Sequence, residues 1–398
     1  MLAYFSFKNH GPFKSECVFD MRAVDAYKEH QSTVAHPTKD VGILKIATVY
    51  GANAAGKSQF VDAYSCFRHM VSRSFGGVRE AMEESYAPFL FSAESSDAET
   101  EYEGMYVDEG GSYRYGFSHN NERVLEEWLY FVNAETRRAS MILERDKDGL
   151  RLGASVRSEC QKYATDIADD TLALSFFRRL TLKTKVFAHV ARCIVDILPI
   201  SSRMCTAEIG YTLRRYFEHD FDEKEKEALL GLLASIDSGI NDITVEKSSS
   251  GVQVLTHHTG LDGCDYVAPL EIESSGTRKV IALYSYFNAA VAMGKGLLID
   301  ELDAQLHPLL LKYLVDMFKR EGSFGQLIYT CHDTSLLDKR YIRRDQIWII
   351  EKGIGGASRM YSVAEFKPRK DLRLSSAYLS GVFGGVPTIL ESDVEEEC

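Results

Sequence analysis

A chain of 398 residues can bury a substantial core, and 45% apolar with 26% charged residues describes a globular protein rather than a disordered or fibrous one. No apolar run reaches the ~18 residues needed to span a bilayer, and Met1–Phe7 has no basic segment or cleavage site, so the expectation is a cytoplasmic protein without membrane association. A formal net charge of −12 argues against a surface coated for non-specific nucleic-acid binding, while leaving room for a local basic groove.

The first stretch alternates apolar and polar residues (Tyr4, Phe5, Phe7; Val18, Phe19) around the turn-like Asn9-His10-Gly11-Pro12, as in an antiparallel lobe. An apolar, β-branched run (Ile43, Leu44, Ile46, Thr48, Val49) then leads into Gly51-Ala52-Asn53-Ala54-Ala55-Gly56-Lys57-Ser58, a complete G-x-x-x-x-G-K-[ST] loop. Phe60, Tyr64, Phe67 and Val71 follow at helical spacing. A strand, a glycine-bearing loop and a helix start form a phosphate cradle. The loop backbone from Asn53 to Gly56 supplies N–H donors, Lys57 reaches the β- and γ-phosphates, and the Ser58 hydroxyl suits Mg²⁺. The ligand implied is a nucleoside triphosphate.

Ser92–Glu103 is polar and acidic, and is expected to be an exposed connection. Glu103–Phe117 reads as two strands across Glu109-Gly110-Gly111-Ser112, with a third through Trp128–Val132. From about Ser155 to Ile236 the pattern turns helical (Leu172, Leu174, Phe176, Phe177, Leu180; Phe187, Val190, Ile194, Leu198) without a sustained heptad, which predicts a compact helical insert and no coiled-coil arm. Ile243–Val245 and Val252–Leu255 flank Ser248-Ser249-Ser250-Gly251 as a hairpin. His257-His258 would suit a nuclease centre, but the expectation is that no supporting carboxylates or asparagine surround them, so they read as surface residues. Eight cysteines (17, 66, 160, 193, 205, 264, 331 and 398) show no C-x-x-C spacing and read as buried thiols of a reducing compartment. The acidic Asp393–Cys398 is expected to be a loose tail.

Gly296-Leu297-Leu298-Ile299 is a short buried strand ending in Asp300-Glu301. A carboxylate there can hold Mg²⁺ beside a phosphate loop, and Glu301 can serve as base toward an attacking water. Pro308 suits the first turn of a helix over Leu309–Phe318, and the strand Gln326–Thr330 ends at Cys331-His332-Asp333, bringing the His332 imidazole to the same sheet edge. Upstream, Glu273-Ser274-Ser275-Gly276-Thr277-Arg278 opens a helix. A Ser-Gly corner at a helix start is a second phosphate-binding device in a chain that already has one, which suggests use on a partner's nucleotide.

In these motifs the chain resembles an ABC-type ATPase head of the SMC, RecF and OLD kind, and most of all the bacterial AAA-labelled ATPases of abortive-infection and other anti-phage systems. Gly51–Ser58 corresponds to the Walker A motif and Leu297–Glu301 to Walker B. Asp303 with Leu306-His307-Pro308 corresponds to the D-loop region, His332 to the switch histidine and Ser275-Gly276 to the signature core. Tyr378-Leu379-Ser380-Gly381…Gly384-Gly385-Val386-Pro387 is similar to the C-terminus of the defence-linked group.

The resemblance implies an α/β fold with a central β-sheet, an antiparallel β lobe and a helical insert, divided as 1–154, 155–236 and 237–398. It also implies a homodimer sandwiching two ATP molecules, with larger assemblies of dimers open. Lys57, Ser58, Asp300, Glu301 and His332 of one copy would face Ser275 and Gly276 of the other. It departs from the pattern at Thr277 and Arg278, and no glutamine lies between Gln59 and Gln161 to act as a Q-loop ligand, so turnover is expected to be slow.

The implied role is a switch controlling an operon-encoded toxin or nuclease, because only 66 residues follow His332 and no effector domain is evident. The alternative is a DNA-repair or chromosome-handling ATPase that clamps nucleic acid. Its candidate contacts are Arg178, Arg179, Lys183, Lys185, Lys339, Arg340, Arg343, Arg344, Lys367, Arg369, Lys370 and Arg373. A kinase or GTPase fits less well, since an Asn-Lys-x-Asp motif is absent.

Overall fold

The computed structural model describes residues 1–76, 79–201, 204–235, 239–248, 251–304, 306–369 and 372–387. Two large sheets enclose one helix. The core sheet runs Ile197–Ser201, Gly296–Asp300, Gln326–Thr330, Ile46–Gly51, Ile347–Lys352, Ser358–Ser362 in spatial order. Its pairings are parallel except the last. The register pairs Tyr329 with both Ile299 and Thr48, and Ile350 with Gly51. The carboxyl ends of four strands therefore meet at one edge, where open α/β sheets bind ligands.

The antiparallel lobe has seven strands in the order Gly149–Leu152, Ala139–Asp146, Val124–Asn133, Gly111–His119, Thr100–Asp108, Leu2–Lys8, Cys17–Asp20. Lys57–Arg73 is the helix between the sheets. Its buried Phe60, Tyr64 and Phe67 meet Phe5, Phe7 and Phe117 of the lobe, while the same cluster includes Leu298, Ile328 and Ile350 of the core sheet. The Tyr64 hydroxyl, buried there, donates to the Ile194 carbonyl at 3.0 Å and meets the Tyr106 hydroxyl at 3.0 Å. A second apolar cluster covers the opposite face of the core sheet with the helices Ser275–Met293 and Pro308–Met317.

The structure corrects several expectations. The segment 155–236 is mostly helical, yet Ile197–Ser201 is an edge strand of the core sheet, and the helix holding Phe187, Val190 and Ile194 stops at Val195, before Leu198. Pro199 explains the break, since it offers no N–H to a helix and disfavours the helical region for Leu198. Ser92–Glu103 is not simply exposed: Ser95 is buried, Thr100 begins a strand, and Thr100 and Glu103 are buried in the lobe. Each residue of the histidine pair meets a carboxylate: His257 lies 2.8 Å from Asp265 and His258 2.8 Å from Glu273. The expectation that no carboxylate surrounds the pair is therefore overturned, because the strand Asp265–Pro269 pairs with Gly251–Thr259 and Glu273 follows it closely. Cys205 and Cys264 are exposed, whereas Cys17, Cys66, Cys160 and Cys331 are buried. The hairpin forms with Ser248 opposite Gly251, while its Ser249-Ser250 tip lies outside the described residues, as does the acidic tail. Among the described residues, no helix is long and apolar enough to cross a membrane.

Candidate nucleotide site

Gly51, the last residue of its strand, has no room for a side chain: a Cβ there would lie 2.4 Å from the Ile350 carbonyl oxygen. Ala54 (φ 59°) and Gly56 (φ 118°) then take left-handed backbone as the chain turns into the helix starting at Lys57. The Lys57 ammonium, 6% exposed, folds back to donate to the Gly51 carbonyl at 2.8 Å and the Ala52 carbonyl at 3.0 Å. Burial lowers its pKa, opposed by the charges of Asp300, Glu301 and Asp303.

Asn53, Ala54, Gly56, Lys57 and Ser58 line a cavity of about 590 Å³, and Glu301 and His332 line it too. Three separate parts of the chain thus converge on one concavity. Ser58 presents an exposed hydroxyl beside Lys57, and Asp300 supplies a partly buried carboxylate. A buried cation at the start of a helix, with a hydroxyl on the next residue and a carboxylate at a neighbouring strand end, suits a triphosphate and a hard divalent cation.

Glu301 and His332 are held by residues that the sequence did not single out for that task. Glu301 takes a left-handed backbone (φ 52°), costly for a residue with a Cβ, and its N–H donates to the Thr330 hydroxyl at 2.7 Å. The same hydroxyl donates to Asp300 Oδ1 at 2.7 Å. Asp303 Oδ2 accepts from the N–H groups of His332 (2.9 Å) and Asp333 (2.8 Å), fixing the turn that carries the imidazole. Burial lowers the His332 pKa, Lys57 lowers it further, and the nearby carboxylates oppose both, so the imidazole is neutral at pH 7.

The C-terminal Tyr378–Pro387 motif packs behind the start of the phosphate loop. Gly384 and Gly385 have φ values of 71° and 68°, and Gly385 packs so closely that an added Cβ would lie 2.4 Å from Ile349 Cγ2 and 3.7 Å from Gly51 Cα. The Tyr378 hydroxyl donates to the Gly385 carbonyl at 3.2 Å and receives a backbone hydrogen bond from Gly51, and its ring sits 5.4 Å from that of Tyr50. The first residue of the phosphate loop is therefore held between a core strand and this turn. Spacing gave no sign of it, because the partners are more than 300 residues apart in the chain.

Ser275 and Gly276 do not join the cavity. Both are exposed at the start of Ser275–Met293, where Ser274 caps the helix by accepting from the Thr277 N–H at 3.0 Å. A Cβ at Gly276 would meet nothing closer than Ser274 Oγ at 3.7 Å, so nothing among the described residues requires a glycine there.

Several candidate nucleic-acid contacts have partners within the chain, Arg343 and Arg344 as buried residues and Arg179, Lys185 and Arg340 while still exposed. Arg343, 1% exposed, pairs with Asp345 at 2.7 Å and donates to the carbonyls of Val24, Tyr27 and Glu29. Arg344 pairs with Glu29 at 3.0 Å and lies 3.8 Å over the Tyr27 ring, and Arg340 pairs with Asp338 at 2.8 Å. Arg178 donates to the Ser72 carbonyl, Lys185 to the Leu182 carbonyl, and Arg179 lies over Phe75. Lys183, Lys339, Lys367, Arg369 and Arg373 are exposed, and Lys370 lies outside the described residues.

Residues 193–338 match the family described as "AAA domain, putative AbiEii toxin, Type IV TA system". No curated protein matches the chain. Among solved structures, an SMC head bound to the C-winged helix domain of ScpA is 14% identical, with 92% of this chain and 99% of that one covered at a TM-score of 0.46. The SMC head domain of Thermotoga maritima is 11% identical over 91% and 98%, at 0.43. An SMC head with an extended coiled coil, bound to the C-terminal domain of ScpA from Pyrococcus furiosus, is 15% identical over 92% and 97%, at 0.42. With its complete phosphate loop at Gly51–Ser58, the chain is a P-loop NTPase of mixed α/β fold whose residues 193–338 are similar to that AAA domain family.

Proposed function

We propose that the chain binds and hydrolyses Mg-ATP and works as a dimerising switch that controls an effector protein, a toxin or nuclease, in anti-phage defence within the cytoplasm. The observation that carries this reading is the meeting of Lys57, Glu301 and His332 on one cavity while Ser275 and Gly276 stand exposed elsewhere. Half of a composite site faces inward and the other half faces out, as a two-fold sandwich requires. The family description, with its toxin and toxin–antitoxin wording, supports the defence setting.

The N–H groups from Asn53 to Gly56 and the Lys57 ammonium hold the phosphates, and Ser58 and Asp300 hold Mg²⁺. The bound cation supplies charge neutralisation on the phosphates. Glu301, fixed by its backbone and by Thr330, accepts the proton of the attacking water. The neutral His332 donates a hydrogen bond toward the terminal phosphate, where negative charge grows. Ser275 and Gly276 of a second copy close the site. We assign 1–154 and 237–398 to the two parts of the ATPase head and 155–236 to the insert.

Comparing ATP binding and phosphate release in the wild type and Lys57→Ala tests this. The reading expects binding to fall at least tenfold in Lys57→Ala as the phosphate charge loses its partner. Wild-type affinity in that variant would sink it. Pull-down of neighbouring gene products with and without ATP tests the effector, and the switch reading requires ATP-dependent capture.

A further inference from the structure

The cavity that holds Lys57 and Ser58 continues past Gly11 and Pro12 to Leu90 and Phe91, with Lys352 and Gly356 alongside. Leu90 is 72% and Phe91 75% exposed. Two adjacent large apolar side chains in water forgo the burial that stabilises the rest of the core, which marks a binding surface when the backbone beneath is rigid.

The backbone here is held firmly. Asn9 Oδ1 accepts from the Phe89 N–H at 3.0 Å, and Asn9 Nδ2 donates to the carbonyls of Ser95 (2.9 Å), Ala98 (3.1 Å) and Glu99 (3.1 Å). Asn9 itself is buried with a left-handed backbone (φ 54°). The Ser95 hydroxyl donates back to the Phe89 carbonyl at 3.1 Å, and the Gly11 N–H donates to the Ala87 carbonyl at 2.6 Å. Phe89 is buried as an anchor, edge-on to Phe91 with ring centres 5.7 Å apart. Opposite, a Cβ at Gly356 would come within 3.2 Å of the Phe91 ring, so the glycine leaves that ring its place. One asparagine thus ties the first turn of the chain to a platform that presents two apolar side chains beside the phosphate loop.

We infer that Leu90 and Phe91 form the stacking face for the heteroaromatic base of the nucleotide whose phosphates lie at the Lys57 end of the same cavity. The inference rests on the triphosphate reading above and adds the residues that grip the other end of the ligand. A base is flat and apolar on its faces and joined to the phosphates through a sugar. It suits a cavity whose one end is cationic and whose other end is an aromatic ring with an aliphatic neighbour.

Calorimetric titration of the full chain with ATP and with inorganic tripolyphosphate, each with Mg²⁺, tests it. Phe91→Ala is expected to weaken ATP binding about tenfold while leaving tripolyphosphate binding unchanged, and Phe91→Trp to restore ATP affinity. Should Phe91→Ala prove poorly folded, Leu90→Ala, a truncation of an equally exposed side chain, is expected to show the same split at about threefold. Unchanged ATP affinity in a folded Phe91→Ala chain overturns the inference and leaves the platform to a protein partner. Equal loss of both ligands also overturns it, since the ring would then be supporting the phosphate loop. If the wild type binds neither ligand, the triphosphate reading fails first.

Discussion

The Thr330 hydroxyl donates to Asp300 and accepts from the Glu301 N–H, both at 2.7 Å, so one buried oxygen sets the acidic pair from the neighbouring strand. Val is close to Thr in shape and lacks the hydroxyl. Thr330→Val should leave the Glu301 N–H and one Asp300 oxygen without these partners, costing about 1–3 kcal/mol of stability. ATP hydrolysis should fall at least tenfold as Asp300 and Glu301 lose their setting, with little change in ATP affinity. Parallel thermal melts and single-turnover assays check both. A fully active, fully stable variant would show that the hydroxyl merely fills space.

Glu301→Gln keeps the shape of the side chain and removes its basicity. ATP binding should persist while phosphate release drops by about 10²-fold or more. Protein held with ATP should accumulate as a dimer in light scattering. Normal turnover would remove Glu301 as the base.

Ser275→Arg places bulk and charge on a corner that its own chain leaves open. Alone it should be inactive, as should Lys57→Ala. Mixed one to one, the two should recover roughly a quarter of wild-type activity, because half the dimers are mixed and each of those carries one intact composite site. If no mixture of folded proteins regains hydrolysis, shared sites are ruled out.

Tyr378→Phe keeps the ring against Tyr50 and deletes the hydroxyl that meets Gly385 and Gly51. Loss of this tether should raise the KM for ATP about three- to tenfold with kcat within about twofold, and the melting temperature should move by no more than about 4 °C. A variant that lowers the melting temperature alone would make the C-terminal turn a packing element only.

Two histidines away from the cavity should shape stability against pH. Burial holds the His119 pKa down to about 4, against about 6.5 unfolded, so only the unfolded chain takes up that proton as pH falls between those values. Its contribution is complete above pH 6.5 and lost toward pH 4, by up to about 3 kcal/mol. His189 is the reverse: its hydrogen bond to Asp108 pushes it up to about 9, so its contribution is complete below pH 6.5 and lost as pH rises to 9. Denaturant titrations should show His119→Gln flattening the acid limb and His189→Gln the alkaline limb. Limbs that do not respond would assign the dependence to other groups.

The phosphate loop, the strand before it and the helix after it were legible in the sequence because each is local: a fixed spacing, a β-branched run and a helical repeat sit within one short stretch. The strands ending at Asp300 and before His332 were legible for the same reason. The meeting of these three on one cavity was legible too, but the hydrogen bonds and close packing that hold them there were not. Pro199 could have warned of the strand that interrupts the helical insert, but its place at the sheet edge depends on pairing with Gly296–Asp300, almost 100 residues later.

The sequence by itself determined that this chain carries a triphosphate loop, an acidic strand end and a histidine at a third strand end, since those depend on residue type at short range. Only the tertiary structure decided that Thr330 sets Asp300 and Glu301, that Asp303 holds the His332 turn, that Gly385 backs Gly51, and that Asn9 raises Phe91 over the cavity. Hydrogen bonds and close packing depend on where sheets bring distant backbones, and no periodicity along the chain encodes which distant residue will stand opposite.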